Sequence, residues 1–217
     1  MRISLRHRYG GSHYEIITFR RNNINILNKG DEHMKNEMRR EFLAKRNSMP
    51  KEEQEEKSRA IIKKLLNSAE YKNARTIFVY INMGSEVRTT EFIEKAWADG
   101  KKVAVPIAKK DRLMYFVEIT SFENMSRTKL GVTEPDIPME KQVFPDSKSM
   151  FIVPGSMFDI KKNRCGYGGG YYDTYTSEHN VKNTIGVCYD FQLAEKIPTD
   201  RYDRKLDKII TELRTIE

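Results

Sequence analysis

The chain has little that could staple it, export it or anchor it. Only two cysteines, Cys165 and Cys188, occur in 217 residues. That excludes a disulfide framework and points to a reducing, cytoplasmic setting. No apolar run approaches the roughly 20 residues of a membrane span and no signal-peptide core is visible, so no membrane partner is expected. Internal repeats and low-complexity tracts are absent. Histidine is scarce: none of His7, His13, His33 and His179 falls in a motif, so no histidine base is expected.

What is present suits one domain, or one domain with a tail. Apolar residues make up 38% of the chain, enough for a core, and charged residues 32%. The net charge of +8 favours acidic partners in general. A nucleic-acid-binding module would cluster Lys and Arg with aromatics on one face. Here 31 acids are spread throughout, so no nucleic-acid partner is expected. Residues 1–33 carry six basic residues (Arg2, Arg6, Arg8, Arg20, Arg21, Lys29) against Glu15, Asp31 and Glu32, which is three of the eight charges.

The most informative stretch is Arg164-Cys165-Gly166-Tyr167-Gly168-Gly169-Gly170-Tyr171-Tyr172-Asp173, which holds four of the 12 glycines within five residues. Glycine permits positive φ and lets a ligand approach the main chain. A run of amide N–H groups leading into a helix over Tyr171 to Glu178 makes an anion cradle, with the helix dipole adding to it. Arg164 can fork onto phosphate oxygens, and Asp173 lies within reach of a phosphate-bound Mg²⁺. A flexible linker would be richer in serine and would lack the interleaved tyrosines. The loop has no Gly-Lys-Ser/Thr ending and no acidic residue on a following strand, so it is neither a Walker A loop nor a dinucleotide fingerprint. Cys165 reads as a small filler, because no histidine lies nearby to activate a thiolate.

Along the chain, Met1 to His33 has no sustained period, and Ile16, Ile17, Phe19, Ile24, Ile26 and Leu27 could at most form a weak strand pair. The triplet Lys29-Gly30-Asp31 back-translates to a purine-rich string like a bacterial ribosome-binding site. Residues 1–33 are therefore expected to be a non-native or disordered extension, with the domain proper over 34–217 and Met34 its start; a genuine basic extension is the alternative. Lys35 to Asn47 reads as a helix with Met38, Phe42 and Leu43 on one side and its basic face in solvent. A second helix spans Lys51 to Asn67, with Pro50 in its first turn. Arg75 to Ile81 is a buried strand, and Asn82 to Arg88 a loop. Thr89 caps a helix that Gly100 ends, with Trp97 as core. Strands follow at Val103 to Ala108, Leu113 to Ile119, Ser149 to Val153, Thr184 to Tyr189 and Lys208 to Thr211. The strand–helix–strand spacing is that of a βαβ unit with a parallel pair.

Val153-Pro154-Gly155, Phe158-Asp159 and Arg164 through Asp173 together resemble the 5-formyltetrahydrofolate cyclo-ligase (5,10-methenyltetrahydrofolate synthetase) family. The resemblance runs from Met34 to about Thr211. It implies a single-domain α/β fold, a mostly parallel sheet flanked by helices in a Rossmann-like three-layer arrangement of the sugar-phosphate isomerase and CoA-transferase kind. It implies ATP-binding by Lys35, Asn36, Glu37, Met38 and Arg39, where Lys35 and Arg39 share one helix face. Arg164, Cys165, Gly166, Tyr167, Gly168, Gly169, Gly170, Tyr171 and Tyr172 complete that set, with Arg164, Lys35 and Arg39 catalytic. Folate falls to Ile81, Met83, Glu86, Tyr167, Gly168, Gly169, Gly170 and Tyr171, since Asn82-Met83-Gly84-Ser85-Glu86 matches the family's folate loop. Mg²⁺ falls to Asp173 and Asp207. Gly131-Val132-Thr133-Glu134-Pro135 matches a short family segment and should be a turn, to which no chemical role is assigned. Cys165 replaces a usual leucine, and Gly169 stands where some members have lysine, which removes one charge at the phosphates.

The implied reaction is 5-formyltetrahydrofolate plus ATP giving 5,10-methenyltetrahydrofolate, ADP and phosphate. Phosphorylating the formyl oxygen makes it a leaving group, and the neighbouring anilinic nitrogen closes the ring. The protein then has mainly to align and to neutralise charge. The expected partners are these small molecules, in a monomer or weak homodimer. Two other classes stay open: an α/β sugar-phosphate isomerase or CoA-transferase with a glutamate or lysine base, and a basic nucleic-acid-binding module.

Overall fold

The β-branched and aromatic run Thr76–Val79 (β1) lies in the middle of the molecule's main sheet. The computed structural model describes residues 29–217 except 124, 129 and 130. The weak strand pair expected through Ile16 and Leu27 lies outside the described residues. Before β1 come helices α1 (Lys29–Ser48), α2 (Lys51–Asn67) and α3 (Ala69–Asn73). After it come α4 (Thr90–Ala98), β2 (Lys102–Ala108), β3 (Met114–Ile119), β4 (Met125–Arg127), β5 (Thr133–Pro135) and β6 (Gln142–Val143). The second half holds β7 (Ser149–Val153), β8 (Met157–Asp159), β9 (Arg164–Cys165), α5 (Tyr171–Glu178) and β10 (Thr184–Val187). Short strands β11 (Leu193–Ala194), β12 (Lys208–Ile210) and β13 (Thr215–Ile216) close the chain.

Eight strands form the main sheet in the order β13-β12-β10-β7-β1-β2-β3-β6. Its centre, β12 through β2, is parallel, while β13, β3 and β6 at the two edges pair antiparallel. Parallel strands are covered on both faces and so read as continuous apolar runs; β7 is buried at all five positions. Alternate residues face opposite sides. Ile77, Val79, Val105 and Ile152 pack with Ile61 and Leu65 of α2 and Phe92 and Ile93 of α4. On the other face Phe78, Phe116 and Phe151 meet Tyr175 of α5. Phe78 and Phe151 stack 4.2 Å apart with Phe116 edge-on at 5.1 and 5.6 Å. Such pairs add about 0.5–1.5 kcal/mol beyond their buried area. The result is a mixed α/β domain built on one large, mostly parallel sheet. Among the described residues no helix is long and apolar enough to cross a membrane.

The helices α2 and α5 and the strand β7 stand where the sequence pattern places them. Four details differ. Helix α1 begins at Lys29 and not at Lys35, with Asp31 and Glu32 in its first turn, where carboxylates favour the positive end of the helix dipole. The expected boundary after His33 therefore falls inside a helix. Pro50 is the residue before α2 rather than within its first turn. Thr89 precedes α4 but makes no capping bond; its hydroxyl donates to the Tyr80 carbonyl at 2.7 Å, tying the loop after β1 to that strand's end. The segment around Gly131 is a turn, but Glu134 beyond it is buried in β5 and accepts from the Ala108 amide at 3.0 Å.

A second, three-stranded sheet, β11-β8-β9, carries the glycine-rich segment. Its anchor is Asp159, fully buried. This carboxylate accepts from the backbone of Lys161 (2.9 Å), Asn163 (3.0 Å) and Ile197 (3.1 Å) and from the Asn163 side chain (2.8 Å). The Phe-Asp pair thus closes the β8–β9 hairpin and fixes where Arg164 emerges.

Candidate active site

The glycine loop leaves β9 at Cys165 and enters α5 at Tyr171, with Gly168 and Gly169 exposed. Gly168 has φ +99° and Gly170, the residue capping α5, φ +70°. Both lie where L side chains are strained, so the turn demands glycine there. The loop therefore delivers an open stretch of main chain to a helix start, as an anion cradle requires. Its flanks are built by other segments. The Tyr171 hydroxyl donates to the Lys109 carbonyl at 2.9 Å. Arg112, itself at φ +61°, comes within 3.7 Å of the position a Cβ on Gly170 would take. No sequence motif marks Arg112; only the tertiary approach of the β2–β3 turn reveals this cation at the loop.

Arg164 lies beneath the loop and is 4% exposed. One guanidinium nitrogen meets Asp173 at 2.7 Å and another donates to the Pro154 carbonyl at 3.2 Å. The fork expected on phosphate is thus engaged inside the protein, with the carboxylate expected at the metal. The other Asp173 oxygen accepts from the Arg204 amide at 3.1 Å. Asp207 accepts from the amide and hydroxyl of Thr184 at 2.8 and 2.9 Å, at the start of β10. Both carboxylates line one cleft of about 170 Å³, together with Lys182 and Lys205. Among the described residues no group of three or more His, Cys, Asp or Glu is placed to hold a metal. Two hard carboxylates lining one cleft are nevertheless donors of the kind that Mg²⁺ takes.

Helix α1 turns a basic face inward. Lys35, Arg39 and Arg46, spaced four and seven apart, fall within one narrow arc. Lys35 is 8% exposed and its Nζ meets Asp203 at 2.6 Å. Arg39 reaches the loop itself: Nε donates to the Gly166 carbonyl at 3.0 Å and Nη2 lies 3.3 Å from Cys165 Sγ. Met38 and Phe42 pack beside them against Met157, Cys165 and Ile197. The default expectation of a solvated basic face is therefore corrected for these three positions. Asn36 and Glu37 are exposed; Asn36 accepts from Arg39, while Glu37 pairs with His33 along the helix.

The loop after β1 closes the other side. Glu86 is buried, with one oxygen accepting from the Met83 amide at 2.8 Å and the other from the Tyr167 hydroxyl. Burial pushes its carboxyl above the ordinary range, opposed by the Tyr167 hydroxyl, the Met83 N–H and the Arg46 guanidinium. The ring of Tyr167 is partly exposed while its hydroxyl end is enclosed; burial and the Glu86 charge raise its pKa, so it stays a donor. Ile81 and Met83 line the same loop, half-buried. Tyr189, fully buried, brings its hydroxyl 3.3 Å from the Glu86 carbonyl and so holds the loop from below. Of the sequence-predicted residues, Lys35 and Arg39 on α1, the glycine loop, Arg164 under it and Glu86 across from Tyr167 lie together; Glu37, paired with His33 on the exposed side of α1, does not join them. Arg46, which no motif marks, bonds to both loops.

The profile of the "5-formyltetrahydrofolate cyclo-ligase family" matches residues 31–212. A probable 5-formyltetrahydrofolate cyclo-ligase of Caenorhabditis elegans is 29% identical over 195 residues, covering 84% of this chain and 95% of that protein. A second, from Schizosaccharomyces pombe, is 31% identical over 172 residues, 72% of this chain and 84% of the relative. The solution structure of 5,10-methenyltetrahydrofolate synthetase from Aquifex aeolicus superposes with a TM-score of 0.73 at 27% identity, over 84% of this chain and 91% of that one.

Proposed function

This chain belongs to the 5-formyltetrahydrofolate cyclo-ligase family, and from that premise we propose how its own residues perform the reaction. It converts 5-formyltetrahydrofolate to 5,10-methenyltetrahydrofolate with consumption of ATP and release of ADP and phosphate. The formyl oxygen attacks the γ-phosphorus, a P–O bond to ADP breaks, and the phosphorylated oxygen then leaves as phosphate when the anilinic nitrogen closes the ring. The chemistry needs alignment and charge neutralisation more than a protein nucleophile. The site residues suit that division of labour. The main chain from Gly166 to Gly170, exposed at Gly168 and Gly169, and the α5 N-terminus receive the phosphates, with Tyr171 and Tyr172 beyond them. Arg39, bonded to the Gly166 carbonyl, and Lys35, held at Asp203, supply positive charge from α1. Arg164, tied to Asp173, sets the loop's height and neutralises charge from below. Glu86 accepts from the ring N–H groups of the pterin, flanked by Ile81 and Met83.

Asp173 and Asp207 would hold Mg²⁺, which when bound neutralises the phosphate oxygens. The finer architecture is Rossmann-like and three-layered, the setting cytoplasmic, and the assembly a monomer or weak homodimer. No nucleic-acid or membrane partner belongs to this reading. The single observation that carries it is the apposition of the glycine loop, through Tyr167, to the Glu86 loop. Phosphate transfer onto a pterin-borne formyl group needs an anion cradle beside a carboxylate that can accept from the ring, and this apposition supports that reading. The test is the appearance of methenyltetrahydrofolate absorbance: it should require both ATP and 5-formyltetrahydrofolate and stop when Mg²⁺ is chelated. ATP-independent turnover of a sugar phosphate, with no such absorbance, would contradict it.

A further inference from the structure

We propose that Arg46 is a positioning residue for folate recognition: through the Tyr167 hydroxyl it holds the Glu86 carboxylate in its acceptor orientation and joins the folate loop to the glycine loop. The assignment rests on the reading of Glu86 as the folate-recognising carboxylate. Arg46 is 5% exposed, on a helix whose other face is charged and solvated. A buried guanidinium is costly unless its donors are met and an anion lies near. Its hydrogen-bond partners are neutral and come from three segments. Nε donates to Ser85 Oγ at 3.0 Å, Nη1 to the Gly155 carbonyl at 3.2 Å and Nη2 to the Tyr167 hydroxyl at 2.9 Å. The counter-charge is reached only through the third, because Tyr167 donates onward to Glu86.

The relay has one direction: Arg46 N–H to Tyr167 oxygen, Tyr167 O–H to one Glu86 oxygen, Met83 N–H to the other. Each carboxylate oxygen has a second lone pair, so two fixed donors orient Glu86 while leaving acceptor capacity for a ligand's N–H groups. The groups facing Glu86 are Arg46 from α1, Tyr167 from the glycine loop, Tyr80 from the end of β1 and Tyr172 from α5. Arg46 is the cation among them, and it favours the ionised acceptor against burial. A clamp serving stability alone would act on both substrates alike and would leave the titration of Glu86 untouched.

The experiment compares Arg46→Lys, Arg46→Met and Tyr167→Phe with the unmodified enzyme. It measures KM for 5-formyltetrahydrofolate and for ATP, and kcat/KM for folate against pH. Arg46→Lys keeps the charge but loses the three-way fork. Its folate KM should rise about tenfold, on the scale of one charge-assisted hydrogen bond, with ATP KM changing far less. Arg46→Met should do the same and also move the acid limb of the folate profile to higher pH, because Glu86 loses its cation; Arg46→Lys should leave that limb near its original place. Should Arg46→Met not fold, Arg46→Lys and Tyr167→Phe decide: their folate penalties should be less than additive in the double variant, since both break one relay. Equal losses for the two substrates with an unmoved acid limb, or full additivity of the Arg46→Lys and Tyr167→Phe penalties, would overturn the proposal. Absence of ATP-dependent turnover in the unmodified enzyme would instead overturn the functional reading, and this assignment with it.

Discussion

Glu86 ties the fold's stability to pH. Its carboxyl is buried and its pKa raised above the ordinary value of 4.5. The folded state then holds a proton over a pH range in which the unfolded chain has released it. The stability it contributes is full below that ordinary value and falls as pH rises through the raised one. Glu86→Gln removes this titration. The stability difference, parent minus variant, should therefore decline with increasing pH across that window, which denaturant melts at several pH values would measure. A pH-independent difference would mean that Glu86 ionises as freely in the fold as in the unfolded chain. Tyr175 poses the opposite case. Its ring packs 4.9 Å from Phe116, but its hydroxyl is buried without a hydrogen-bond partner among the described residues. Removing such a hydroxyl removes a desolvation penalty. Tyr175→Phe should leave stability unchanged or raise it by up to about 1 kcal/mol, and a clear loss in thermal melting would show that the hydroxyl has a partner.

Among the elements, helix α1 is where local pattern and tertiary structure part company. The strongly patterned segments are legible: α2 buries Gln54, Ser58, Ile61, Ile62 and Leu65 at helical spacing, and β7 is apolar from end to end. The start of α1 is not, because Lys29 to His33 carries no apolar period. Short strands such as β8, β9, β11 and β13 escape for a related reason: two or three residues hold too little pattern to read. Arg46 escapes because a basic residue on a polar helix is normally solvated, and its partners lie 39, 109 and 121 residues away in sequence. Lys35 and Arg39 are legible only through their match to a family pattern. A chain beginning at Met34 would lose one turn of α1 while keeping Lys35, Arg39 and Arg46. We expect it to retain turnover, with melting lowered by only a few degrees, roughly the effect of 1 kcal/mol in a domain of this size. A large loss of activity would place residues before Met34 within the working enzyme.

At the scale of the whole molecule, the parallel sheet delivers β1 and β7 to the same end, where their following segments, Asn82 to Glu86 and Pro154-Gly155, meet α1 and the glycine loop. The motifs name the loop, its flanking Arg164 and Asp173, and Glu86; the topology explains why residues some 80 positions apart, such as Glu86 and Tyr167, form one site. Motifs do not disclose that Arg164 lies beneath the loop, because burial of a guanidinium depends on Pro154 and Asp173 closing around it. The central claim is that the main chain at Gly168 receives phosphate. Gly168 sits at φ +99°, and a Cβ there would find nothing nearer than Arg39 at 3.9 Å. A Cβ at Gly168 thus meets no close neighbour, but Gly168→Val strains the left-handed backbone by about 1–3 kcal/mol and its branched side chain fills the approach to the main chain. Calorimetric titration of this variant with ATP, beside its melting temperature, is the most direct measurement. The account predicts a folded protein that no longer binds ATP; a variant that binds ATP as tightly as the parent would contradict it.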